Sequence, residues 1–308
     1  MTRAGVLKAV DGISFDLARG EILGLVGESG SGKSVAGFSL LGLVDPPGRI
    51  AGGSVRFDGQ ELVGMAQPGL RRLRGKRIAM IFQDPAATLN PMLTIGQQMM
   101  LAVQAHGGGG DAAARALAGR SLARVGIPDA IARLDAYPHE FSGGMRQRVA
   151  IAIALLHEPD LIIADEPTTV LDVSIQAQIL AEMKTLARES GTALIWISHD
   201  LATVAALADR VMVMYAGRIV ESGSVGEVLR APWHPYTRGL LDSLPAMAEP
   251  GQRLAQIPGT TPSLLSLPPG CPFAPRCPHA DAACGGEPPL VQQAGRLARC
   301  HHPLESTP

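Results

Sequence analysis

The sequence predicts an α/β fold: a largely parallel sheet with helices on its faces, a helical subdomain at about residues 86 to 157, and a small irregular C-terminal module containing the cysteines. Three observations predict it. Short apolar runs at Glu21 to Val26, Ile78 to Phe82, Leu161 to Ala164, Ala193 to Ile197 and Val211 to Tyr215 alternate with helical stretches, the pattern of a parallel sheet. From about Thr94 to Leu156 the texture is helical. Beyond Leu244 the periodicity fades into a proline-rich stretch, and all four cysteines follow it.

In chain order, Ile13 to Leu17 alternates with polar neighbours and reads as a strand, and Arg19-Gly20 reads as a turn. Glu21 to Val26 reads as a buried strand, leading through a Gly/Ser-rich loop into a helix from Ser34 to about Leu43. Val55 to Phe57 with Asp58-Gly59 reads as a strand and turn. Ala112 to Val125 has helical spacing, and the four glycines Gly107 to Gly110 read as a surface insert. Pro245 to Gly270 reads as a linker. The expected domains are therefore 1–244 and 245–308, with no internal repeat.

Composition narrows the function classes. Hydrophobic residues are 46% of the 308 and aromatics only 4%, so the core is aliphatic. A net charge of -1 supplies no general attraction to nucleic acid or anionic lipid. No stretch reaches the roughly 18 consecutive apolar residues of a membrane span; the run Val149 to Leu156 stops at His157. The start of the chain lacks the apolar segment of a signal peptide. The expectation is a cytoplasmic protein that works at a membrane only by docking on another subunit. In that compartment, clustered cysteines suggest metal before disulfide.

The strongest local signal is Gly27-Glu28-Ser29-Gly30-Ser31-Gly32-Lys33-Ser34, which fits the P-loop pattern between a buried strand and a helix. Glycines let backbone N–H groups converge on phosphate oxygens, and the helix N-terminus adds positive potential. Lys33 supplies a full charge to the β- and γ-phosphates, and Ser34 offers its hydroxyl to Mg²⁺. A second motif ends the apolar strand Leu161 to Ala164 in Asp165-Glu166. Asp165 suits Mg²⁺ coordination through water, and Glu166 is placed to polarise an attacking water.

A third motif, Phe141-Ser142-Gly143-Gly144-Met145-Arg146-Gln147-Arg148, precedes an apolar helix. It resembles the signature sequence of ABC ATPases, and the P-loop NTPase fold of that family is the one expected here. The resemblance spans roughly residues 6 to 230. It implies that Ser142, Gly143, Gly144 and Met145 clamp the ATP held by an opposite subunit. It also implies that Gln83 is the Q-loop residue touching Mg²⁺ or the attacking water, that Asp172 belongs to the D-loop at the dimer interface, and that His199 contacts the γ-phosphate. Mg²⁺ is then expected on Ser34, Gln83 and Asp165.

The segment Pro232-Trp233-His234-Pro235-Tyr236-Thr237-Arg238 resembles the extension on ATPase subunits of dipeptide, oligopeptide and nickel importers. Cys271, Cys277, Cys284 and Cys300 offer four thiolates that suit a [4Fe–4S] cluster or Zn²⁺, at spacings looser than the short pairs of common zinc modules. The resemblance to peptide importers implies the iron–sulfur cluster; zinc and unliganded thiols are the alternatives. His279, His301 and His302 read as loop residues. Met145 in the signature resembles one of two paired ATPase subunits, so the expected partners are a sister ATPase, two transmembrane permease subunits and, through the complex, an extracytoplasmic substrate-binding protein, with no nucleic acid. The expected location is the cytoplasmic face of the plasma membrane.

The sequence departs from the family in two respects, one being that the first strand expected of the domain is missing or very short. The family carries an aromatic residue before the first motif to stack on adenine, whereas the chain has no aromatic before Phe15 and its tyrosines are Tyr137, Tyr215 and Tyr236. The preferred reading is that Met1 is an internal start and the native protein is longer; the alternative is that this subunit holds adenine poorly. A non-transport ABC ATPase and a redox- or metal-responsive regulatory ATPase are the rival functions. The cargo stays open among dipeptides, oligopeptides, nickel chelates and glutathione.

Overall fold

The computed structural model describes residues 5–168, 173–245 and 254–304, with only the backbone of residues 86 and 87. Its contacts divide the chain into two compact units. One comprises Met1–Asp16, Leu23–Val55 and Ile197–Pro308; the other comprises Leu17–Ile22 and Arg56–Trp196.

The elements in chain order begin with β1 (Ile22–Val26) and α1 (Lys33–Leu40), followed by β2 (Arg56–Phe57), β3 (Gln60–Glu61), α2 (Gln67–Leu73) and β4 (Ile78–Ile81). A helical series follows: α3 (Pro85–Thr88), α4 (Ile95–Gln104), α5 (Asp111–Arg124), α6 (Ala130–Arg133) and α7 (Gly143–Ala154). Then come β5 (Leu161–Asp165), α8 (Val173–Ser190), β6 (Ala193–Ser198), α9 (Leu201–Leu207), β7 (Arg210–Tyr215) and β8 (Arg218–Ser224). The chain ends with α10 (Val225–Arg230), α11 (Pro235–Asp242), β9 (Leu290–Gln293) and β10 (Arg296–Arg299).

In the second unit β4 and β5 pair in parallel, Ile81 opposite Ala164, and β6 lies on the other side of β5. Ile162, Ile163 and Ala164 are buried, as continuous apolar strands of a covered parallel sheet should be. Helix α7 packs on β4, and α4 and α5 pack on α7. These contacts bury Val149, Ile151, Met99, Val103, Ala118 and Leu122. A capping box starts α4: Gln97 N–H donates to Thr94 Oγ1 at 3.2 Å, and Thr94 N–H donates to Gln97 Oε1 at 2.9 Å.

In the first unit β1 pairs in parallel with β7, and β7, β8, β10 and β9 follow as antiparallel neighbours. The C-terminal module is irregular over most of its described length but ends in a hairpin that joins the sheet, Ala298 opposite Glu221. The hairpin turn places Ala294 and Gly295 at φ 49° and 80°, the left-handed pair that a two-residue β-turn requires. Its strands read Leu-Val-Gln-Gln and Arg-Leu-Ala-Arg, with too few apolar residues to announce themselves.

Ile13 to Leu17, expected as a strand, is not one. Residues 13, 15 and 17 are half-buried and residues 14 and 16 exposed, but no strand assignment covers the segment. Alternation reports one covered face, whereas a strand also needs a partner backbone, and sequence periodicity carries no information about that partner.

The turn between β1 and α1 depends on two glycines. Gly27 has φ 155°, and a Cβ there would lie 2.1 Å from the Met214 carbonyl oxygen. Gly32 has φ 105°, and a Cβ there would lie 2.1 Å from the Ala9 carbonyl oxygen. Both positions therefore exclude side chains twice over, by backbone conformation and by close approach.

Helix α11 is capped by His234, whose Nδ1 accepts the Tyr236 N–H at 3.0 Å. The ring is buried, and burial depresses its pKa to about 3 despite a bond to the Arg299 backbone. Glu221, 0% exposed, accepts the N–H groups of Trp233 and His234 at 2.7 and 2.9 Å and the Arg296 guanidinium at 3.1 Å. These bonds fasten α11 and β10 to β8.

Two outcomes test these assignments. Gly32→Ala should destabilise the chain by about 2 kcal/mol or more, combining left-handed strain with a backbone clash, as read from the denaturant midpoint. His234 is neutral when folded and protonates when unfolded below its ordinary value of 6.5. Stability should therefore fall as pH drops from about 6.5 towards 3, because the unfolded chain binds the extra proton. His234→Asn keeps a capping acceptor without the titration, so its denaturation midpoint should vary less with pH over that window.

Candidate functional site: a glycine-rich turn and a strained carboxylate

In the first unit the loop after β1 closes on a buried cation. Lys33 is 5% exposed. Its ammonium donates to the carbonyl oxygens of Gly27 at 2.7 Å and Glu28 at 2.9 Å. Ser31, fully buried, donates its N–H to the Glu28 carbonyl at 3.2 Å, and its own carbonyl accepts the Gly217 N–H at 2.8 Å. Ser29 and Gly30 stand exposed at the tip, and Ser34 is half-buried in the first turn of α1. The N-cap residue of α1, Gly32, supplies no side-chain bond. A compact turn with a fixed positive charge at a helix N-terminus is suited to polyphosphate.

Glu28 is tied to the C-terminal module. Its carboxylate accepts two parallel bonds from Arg276, Nη1 to Oε2 at 2.6 Å and Nη2 to Oε1 at 2.9 Å. Thr261 Oγ1 adds a third at 3.0 Å. The Arg276 guanidinium beside it holds the Glu28 carboxyl below the usual carboxylate range. Sequence reasoning missed Arg276, Thr261 and the role of Tyr236, whose hydroxyl accepts the Glu28 N–H at 2.9 Å. The only sequence signal was an arginine directly before Cys277, between two cysteines. Tyr215 and Tyr236 are buried, with ring centroids 4.6 Å apart, and so offer no open face for stacking a base. Tyr137 stacks on His139 at 5.7 Å.

His199 lies exposed after β6 in the same unit. Beyond it Asp200 caps α9, accepting the Ala202 N–H at 2.8 Å.

In the second unit, Gln83 and Glu166 follow the paired ends of β4 and β5. Gln83 Nε2 donates to Glu166 Oε2 at 3.0 Å. Glu166 has φ 46°, a left-handed conformation that costs a non-glycine residue roughly 1–3 kcal/mol and concentrates at functional positions. Asp165, one residue earlier, is 3% exposed at the strand end. The carboxyl ends of parallel strands are where open α/β sheets bind ligands. In the same unit Ser142 is the N-cap of α7, its Oγ accepting the Met145 N–H at 3.3 Å. Ser142 is exposed, and a Cβ on Gly143 would meet nothing within 4 Å, so this helix N-terminus is open to an approaching group. Gly144 and Met145 are half-buried in the first turn. Asp172 lies outside the described residues.

The four cysteines carry no disulfide. Burial raises the pKa of Cys271 and Cys277 and pushes that of Cys300 up to about 11. The neighbouring cysteines raise Cys300 further. Among the described residues, the group of metal-ligating atoms all within 4.8 Å of one another is Asp281, Cys284 and His302. His302 Nε2 lies 2.9 Å from Asp281 Oδ1, a pairing that its reading as a plain loop residue did not anticipate. No three of the thiols share that spacing.

The ABC transporter family model matches residues 10–169, and the oligopeptide/dipeptide transporter C-terminal region matches residues 220–284. The oligopeptide transport ATP-binding protein OppD of Escherichia coli is 50% identical over 305 residues, covering 99% of this chain and 90% of that protein. The dipeptide transport ATP-binding protein DppD of the same organism is 48% identical over 300 residues, covering 97% and 92%. Among solved structures, the ADP- and Pi-bound dimer of the ATP-binding cassette MJ0796 superposes with a TM-score of 0.63 at 26% identity, covering 73% of this chain and 94% of that one. The cassette cbiO1 of Clostridium perfringens gives 0.61 at 29% identity, covering 71% and 83%. With the motif order of an ATP-binding cassette on a matching fold, the chain belongs to the ABC transporter ATPases, and its C-terminal region to that of the oligopeptide/dipeptide transporters.

Proposed function

We propose that this chain binds and hydrolyses ATP to energise the import of di- or oligopeptides. The observation that carries the reading is half-identity to peptide-import ATP-binding proteins over almost the whole chain. In functional terms residues 1–244 are the ATPase domain and 245–308 an appended module. The chain pairs with a sister ATPase subunit, as the Met145 form of the signature suggests. It docks on two permease subunits at the cytoplasmic face of the membrane and serves a complex that includes an extracytoplasmic substrate-binding protein. No described helix is long and apolar enough to cross a membrane, so membrane attachment runs through those partners.

Gly27 to Ser34 cradle the triphosphate, and Lys33 exchanges its carbonyl partners for β- and γ-phosphate oxygens. Ser34, Gln83 and Asp165 offer hydroxyl, amide and carboxylate oxygens, the hard donors that Mg²⁺ prefers. The bound ion neutralises charge on the phosphates. Glu166 orients or deprotonates the attacking water, with Gln83 holding its carboxylate at 3.0 Å. His199 contacts the γ-phosphate. Ser142, Gly143, Gly144 and Met145 clamp the partner's nucleotide, and Asp172 lies at the dimer contact.

Cys271, Cys277, Cys284 and Cys300 hold a [4Fe–4S] cluster in this reading. A single tetrahedral zinc with bonds near 2.3 Å needs its sulfurs about 3.8 Å apart. Among the described residues no three of these thiols come within 4.8 Å of one another. That spacing suits a cluster better than one ion.

In the reconstituted complex Glu166→Gln should retain ATP binding and lose turnover by about a hundredfold or more; near-normal hydrolysis would overturn the role given to Glu166. Anaerobically purified chain should contain about four irons and four sulfides, and zinc in place of iron would refute the cluster.

A further inference from the structure

Every polar group of Glu28 has a partner. Its N–H donates to the Tyr236 hydroxyl, its carbonyl accepts from Lys33, and its carboxylate receives Arg276 and Thr261. Arg276 is only 5% exposed as a side chain and is committed to this contact. Its Nε donates to the Pro258 carbonyl at 2.8 Å, and its guanidinium lies 5.9 Å from the Tyr215 ring centroid. It sits in the short 3₁₀ turn Ala274–Arg276, between Cys271 and Cys277. Phe273, just before that turn, packs edge-on to Tyr215 at 5.3 Å. The cysteine loop is thus anchored to the second residue of the phosphate loop by a planar, two-bond ion pair.

A carboxylate in a loop that receives a polyphosphate is an electrostatic liability, because like charges repel at short range and partial burial weakens screening. A bidentate guanidinium cancels the charge and also fixes the carboxylate plane, which an ammonium cannot do. We propose that Arg276 is a positioning residue for the nucleotide: by neutralising and immobilising Glu28 it keeps the phosphate loop in its ATP-receiving shape, and so makes the cysteine module part of the ATP site. This rests on the reading of Gly27 to Ser34 as the ATP cradle. ATP affinity then depends on a segment that touches none of the groups assigned to the hydrolytic step.

The test measures binding of a fluorescent ATP analogue to the full chain, and KM and kcat for ATP in the reconstituted complex. Arg276→Met should weaken ATP binding about tenfold, with the loss in KM rather than kcat. Adding Glu28→Gln to that variant should restore much of the affinity, because the uncompensated charge is gone. A merely structural role for Arg276 predicts a lower melting temperature with ATP affinity unchanged in the folded protein. Unchanged affinity in Arg276→Met, or a double variant as weak as the single, would overturn the proposal. If thermal melting finds Arg276→Met unfolded, Arg276→Lys decides: an affinity loss of about threefold supports the two-bond role, and no loss overturns it. Lys33→Met is the control for the underlying reading. Full retention of nucleotide by that variant would reject the cradle itself, whereas loss there with no effect at Arg276 would reject the positioning role alone.

Discussion

A buried ammonium organises the glycine-rich loop after β1. Lys33 reaches back to the carbonyls of Gly27 and Glu28, folding the turn around its own charge. Burying that charge costs several kcal/mol, and each bond from it to a carbonyl returns about 1.5–3 kcal/mol. The two nearly balance, so the loop is ordered and Lys33 can still exchange a carbonyl for a stronger anionic acceptor. The arrangement exists only because Gly27 and Gly32 carry no side chain where the chain passes the Met214 and Ala9 carbonyls. The constraint runs from residue type to backbone path to the position of one charge.

The carboxylate end follows a different logic. Glu166 is held in a left-handed conformation directly after a buried strand, and its side chain is fixed by Gln83, just beyond the end of the neighbouring strand. The parallel pairing of β4 and β5, Ile81 opposite Ala164, brings two residues 83 positions apart to the same end of the sheet. Local strain is kept because the register on either side leaves the residue little alternative.

The C-terminal module is integral to the first unit. Its hairpin extends the sheet at β8, and the Glu221–Arg296 pair is closed by the Trp233 ring, 4.1 Å from the guanidinium. Its cysteine loop grips the glycine-rich loop through Arg276. Breaking either ion pair would leave a buried charge without a partner, which costs far more than an intact pair contributes. The module is therefore held in place at two points by groups that cannot separate cheaply.

Much of this was legible in the sequence wherever the chemistry lies in consecutive residues. The turn at Gly27 to Ser34 and the Leu161 to Ala164 strand each state their conformation within a few positions, because turns and apolar runs are local. Ile13 to Leu17 marks the limit of that legibility: its alternation correctly reports a covered face but not a ladder. The β9–β10 hairpin, too polar to show a period, was invisible for the complementary reason. Glu28 and Arg276 are 248 positions apart, and neither is unusual among its neighbours. The sequence by itself determined the glycine-rich turn, the carboxylate strand and the cysteine content. Only the tertiary structure decided that the cysteine loop and the glycine-rich loop share an ion pair, because which distant charges meet depends on how the intervening chain packs.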